Sequence, residues 1–188
     1  MSDTRFSPLQ PERMSSEQKR VADAIQGGPR GGLRGPFNAL LRSPELADRF
    51  QKVGEYIRFQ SSLPARLNEL AILIVARKWA AQFEWYAHEP LAKNAGLSPS
   101  IIDDIHAGKR PARMQPDETI VYDFCTEMRE QRRVSDATYT AAKKLLGEKG
   151  VVDLAALMGY YDLVSIILNL DRYPLAPGAT LPFPEPRN

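Results

Sequence analysis

The chain has 188 residues, 25 basic and 23 acidic, with a formal net charge of +2, and this length suits one domain, 1–188, with a sizeable core. So even a balance, without a run of five or six like charges, argues against nucleic acid as a partner. A lone cysteine, Cys125, excludes an intrachain disulfide and a cysteine-built metal centre. The polar N-terminus and the lack of ~20 consecutive apolar residues lead us to expect a cytoplasmic protein without a membrane partner.

Residues 1–14 are polar and irregular. Ser15, with Gln18 three residues on, is a capping-box signature, and Val21, Ala22 and Ile25 form the apolar stripe of a short helix that Gly27-Gly28-Pro29 stops. The stretch Gly28 to Phe37 is rich in glycine and arginine and is expected to be a loop. Its Arg30 and Arg34 have two readings: they meet the carboxylate of a substrate, or they are solvated surface charges. Ser43-Pro44-Glu45 starts the next helix, with Leu46, Phe50, Val53 and Ile57 toward the core.

The apolar run Leu70 to Ala76 is too continuous for a surface helix and predicts a helix buried on most sides, which carries Glu69. After a break near Ala80 and Ala81, a second helical segment carries Glu84 and His88, four residues apart and so on one face. Pro90 is expected to kink that helix or to mark a restart. Ser98-Pro99 opens a short helix with Ile101, Ile102 and Ile105 inward and His106 in its last turn, where the dipole favours a surface histidine. Pro116 onward carries Ile120, Val121, Phe124, Cys125 and Met128, and Cys125 reads as a small buried hydrophobe. Ser135 or Asp136 begins another helix, closed by Gly147 and Gly150, before a long apolar helix from Val151 to Leu170. Nothing alternates with period two for long, so the fold class is all-α with seven or eight helices. Residues 171–188 form a proline-rich arm whose Leu175, Leu181 and Phe183 suggest contact with a neighbouring subunit.

A carboxylate facing an imidazole in apolar surroundings is an arrangement for acid–base chemistry. The bland alternatives are a surface ion pair for Glu84 and His88, and for Glu69 a partner in Arg66 or Arg77. Two carboxylates and an imidazole also make a ligand set for a divalent ion, but the only other histidine, His106, is not placed to help. Tyr86 and Tyr161 are the two tyrosines placed near the pocket; Trp79, Trp85 and Tyr160 read as core.

The Glu69-Leu70-Ala71 helix entry, Ala76, the step from Glu84 to His88 and the exit through Ala92, Gly96, Leu97 and Ser98 resemble the carboxymuconolactone decarboxylase family, over residues 35–170. That family also contains the AhpD-type alkylhydroperoxidases, whose Cys-x-x-Cys pair corresponds here to Ala81 and Glu84. The resemblance therefore implies an AhpD-like helical domain of the decarboxylase-like branch: a lyase needing no cofactor, acting on a small acidic lactone or an unsaturated or keto acid. His88 would transfer the proton, supported by Glu84 and Glu69, at a pKa near neutrality. Arg30 or Arg34 would hold the substrate carboxylate, and the assembly would be a homo-oligomer, a trimer or hexamer. The rival readings are an AhpD-related antioxidant protein, disfavoured by the missing thiol pair, and a non-catalytic member that kept the fold.

Overall fold

A computed structural model describes residues 4–184, as eight α-helices with no strand among the described residues. The first, α1 (Ser16–Gly27), starts at Ser15, whose side chain accepts from the Gln18 amide while Gln18 accepts from the Ser15 amide, the reciprocal cap read in the sequence. The loop that follows leads through α2 (Phe37–Leu40) into α3 (Pro44–Phe59). Helix α3 buries Ala47, Phe50, Gln51, Gly54 and Ile57, whereas Leu46 and Val53, expected in the core, are exposed. Gly54 fits this rotation: it faces inward, where a Cβ would collide with the Tyr160 and Arg30 side chains.

Helix α4 (Ala65–Lys78) buries every residue from Leu70 to Ala76 because it has neighbours all round: α5 (Gln82–Asn94), α6 (Pro99–His106), α7 (Pro116–Gln131) and α8 (Asp136–Asp171) all pack on it. The break between α4 and α5 is a tight turn in which Ala80 adopts a φ of 45°. Pro90 does not end α5, which continues to Asn94. It follows eight helical residues, so it both removes a donor to the turn below and crowds the Tyr86 carbonyl with its ring, a cost that the packing of α5 absorbs.

Helix α8 is interrupted at Gly147, whose φ of 70° and ψ of 174° suit glycine alone. Beyond it the helix presents Leu154, Leu157, Tyr161, Val164 and Leu168 to the core. By length and composition alone a stretch of α8 passes for a membrane-crossing helix, and half of that stretch is buried inside the fold, as in a core helix. Asp153 on α8 ties down the α3–α4 turn by accepting from the Ser62 amide (2.9 Å) and hydroxyl (2.7 Å).

From residue 4 onward the N-terminal segment is irregular apart from a 3₁₀ turn at Pro11–Arg13. In the C-terminal arm Phe183 packs on its own chain, whereas Leu181 is exposed. Phe183 is buried between Trp85 and His106, and its backbone amide and carbonyl bond the Gln82 side chain at 2.9 and 2.7 Å. His106 donates from Nε2 to the Pro182 carbonyl at 2.6 Å, so this exposed histidine anchors the arm. Residues 185–188 of the arm and 1–3 of the N-terminal segment lie outside the described residues.

Candidate active site

His88 sits on the second turn of α5, one turn beyond Glu84, and both are buried, 4% and 5% exposed. Glu69 reaches across from α4. Its Oε2 accepts from His88 Nδ1 at 2.7 Å, and its side chain is 14% exposed. On the other side of the ring, His88 Nε2 lies 3.3 Å from Glu84 Oε2. That contact is within ion-pair reach but off the hydrogen-bond line, and Glu84 Oε2 is buried without a donor. The partners proposed for Glu69 in the bland alternative are occupied elsewhere. Arg66 pairs with Asp117 at 2.7 Å and with Glu118, and Arg77 donates from Nε to the His106 carbonyl.

Burial works against a charged imidazole, but the hydrogen bond to Glu69 and the charges of Glu69 and Glu84 outweigh it and raise His88 from 6.5 to about 9. The sequence alone led to an expected value near neutrality. The structure tips the balance because two carboxylates, one on each ring nitrogen, stabilise the same positive charge. At neutral pH the group is an imidazolium, a proton donor. Each ring nitrogen faces its own carboxylate, so the three side chains do not converge on a common point. Among the described residues no three His, Cys, Asp or Glu side chains are grouped to hold a metal ion.

Glu84 and His88 form part of the wall of a cavity of about 260 Å³, near the small end of the range for ligand sites. Tyr161 closes it beside His88, the two rings perpendicular with centroids 5.2 Å apart. The glycine-rich loop brings Arg30 and Arg34 to the cavity, as its position after α1 allows, and Phe37 and Phe83 add apolar surface. Tyr86, expected near the pocket, is 41% exposed and does not line it. It lies two residues from both Glu84 and His88, about 200° round the helix, and so faces away from them.

Two polar lining residues escaped the sequence reading. Arg58 comes from the last turn of α3, and Tyr160 precedes Tyr161 on α8. Arg30 donates from Nη2 to the Tyr160 hydroxyl at 3.0 Å and stacks over Phe37. Arg30, Arg34 and Arg58 have no carboxylate partner among the described residues, so their charge is available to a ligand. Gly54, inside the periodic pattern of α3, was the available signal: a helix-interior glycine usually marks a close approach, and here it admits Arg30 and Tyr160. Cys125 lies outside the site, fully buried, with its thiol pushed up to about 12 by that burial.

No protein-family model matches the chain, and a search of curated proteins likewise gives no match.

Proposed function

We propose that the protein is a carboxymuconolactone decarboxylase-type carboxy-lyase, acting without a cofactor on a small acidic lactone or an unsaturated or keto acid. The observation that carries the reading is an imidazolium held between two carboxylates on the wall of a cavity with three guanidiniums that have no carboxylate partner among the described residues. The guanidiniums take the substrate's carboxylates, where charge-assisted and bidentate bonds are strongest. Cleavage of the carbon–carbon bond to one carboxyl group releases CO₂ and leaves the electron pair on the remaining conjugated system as an enolate or dienolate. His88 gives a proton to carbon from Nε2, the ring nitrogen toward the cavity-lining Glu84, while Glu69 holds Nδ1 and stabilises the charged ring. The resemblance of the segment from Glu69 to Ser98 to that family favours decarboxylation over other acid–base reactions of the same apparatus.

The same reading includes a cytoplasmic homo-oligomer, a trimer or hexamer. It is supported by an exposed, uncharged stripe on α8 that includes Val152, Ala156, Leu163, Ile166 and Leu170.

A screen of lactones and β-keto acids for CO₂ release tests the reaction. A turned-over substrate should lose about 10²–10⁴-fold in kcat with His88→Gln, the range for removing a positioned acid or base. Equal turnover by wild type and His88→Gln would remove His88 from the mechanism.

A further inference from the structure

Burying a polar group without a partner costs stability, so each such group in a native fold calls for a reason. Three of the six buried side-chain atoms without a partner among the described residues belong to residues that line one cavity: Arg30 Nε, Glu84 Oε2 and the Tyr161 hydroxyl. A fourth group there is half-spent. The Tyr160 oxygen accepts from Arg30, which leaves its own proton to donate.

The placement of this pair is built in detail. On α3, a Cβ at Gly54 would fall 2.0 Å from the Tyr160 hydroxyl and 2.1 Å from Arg30 Nη2. The two polar groups thus occupy the volume that a side chain at position 54 would fill. One turn earlier, Phe50 stacks on the Tyr160 ring with centroids 4.3 Å apart and planes 16° apart. Tyr160 in turn meets Tyr161 edge-on at 5.3 Å. Burial raises the pKa of both phenols, that of Tyr161 well above its ordinary value with the nearby Glu84 charge adding to the effect. Both therefore remain neutral donors at physiological pH.

We propose that the Tyr160 and Tyr161 hydroxyls, with Arg30, form an oxyanion-binding wall beside His88, and that the substrate carries, besides its carboxylate, a carbonyl oxygen that becomes an enolate during the reaction. The inference rests on reading the cavity as a proton-transfer site and names the substrate class: acids with a ketone or lactone carbonyl conjugated to the breaking bond. When that bond breaks and CO₂ leaves, the electron pair moves onto the carbonyl oxygen. The tyrosine O–H groups hold the resulting charge until His88 returns a proton to carbon. Tyr161 and Tyr160 touch the reacting oxygen and are catalytic residues, whereas Gly54 acts through Tyr160 and Arg30 as a positioning residue. Donors already in place, in a site sheltered from water, stabilise developing charge without reorganising.

The probe is 4-nitrophenol, whose phenolate mimics an enolate and is read by its visible absorbance, compared with neutral nitrobenzene. Wild type should bind the phenolate and lower the pH at which the bound probe ionises. Tyr161→Phe, which keeps the ring, should weaken phenolate binding by about ten- to a hundredfold, the value of a hydrogen bond to a charged group, and leave nitrobenzene binding unchanged. Gly54→Ala should weaken the phenolate as Tyr160→Phe does. A merely structural role for these residues would weaken both ligands together and overturn the proposal, as would phenolate binding unchanged in both Phe variants or absent from wild type at millimolar concentration. The readout needs no turnover, so it stands or falls separately from the CO₂ release that tests His88.

Discussion

Replacing Glu69 with Gln removes the charge from the 2.7 Å hydrogen bond to His88 Nδ1 while keeping the shape. The displacement of His88 from 6.5 to about 9, at about 1.4 kcal/mol for each tenfold change in acidity, corresponds to about 3 kcal/mol of preference for the imidazolium in the folded chain. Because the folded value is raised, that stability is fully present below pH 6.5, is lost as pH rises through about 9, and is gone above it. In the Glu69→Gln variant burial still opposes the charge and only Glu84 supports it. The imidazole should then titrate at least about one pH unit lower, and the gain in stability from pH 9 down to pH 6.5 should fall by about half. The chain has two histidines, so a His106→Gln background leaves one set of imidazole signals for an NMR titration, and thermal unfolding across the same range reads the stability. If His88 titrates at or below 6.5 in the otherwise native protein, the two carboxylates do not hold an imidazolium and the assignment of His88 as an acid is wrong.

With a substrate in hand, Arg58→Ala should raise KM by a factor equivalent to about 1.5–3 kcal/mol, and the more exposed Arg34→Ala by the lower part of that range; unchanged KM in both would return them to the role of solvated charges. Cys125, buried with its thiol pushed up to about 12, should not react with a thiol-specific disulfide reagent until the protein unfolds, and rapid labelling of the native chain would contradict the packing of α7. Light scattering should give a trimer or hexamer, and Leu163→Glu with Ile166→Glu, both on exposed positions of α8, should reduce it to a folded monomer. A wild-type monomer at micromolar concentration would remove the assembly.

Local periodicity and capping were sufficient for the all-α class, because a helix closes its hydrogen bonds within its own segment. The cap at Ser15 and the shared face of Glu84 and His88 depend on neighbours only a few residues away, and the unbroken apolar run Leu70–Ala76 announces its own burial without naming the helices that cover it, so all three could be read along the chain. The outcome for His88 could not be read this way. It depends on whether Glu69, nineteen positions earlier, lands on the free ring nitrogen, and on whether Arg66 and Arg77 are drawn off by Glu118 and the His106 carbonyl. The rotation of α3, which leaves Leu46 and Val53 outside, fits the groups that approach Gly54, and these come from positions 30 and 160. The C-terminal arm has the composition of a segment that needs an apolar partner, but composition does not name the surface. The groove between Trp85 and His106, with Gln82 bonding both backbone groups of Phe183, exists only once α5 and α6 have packed.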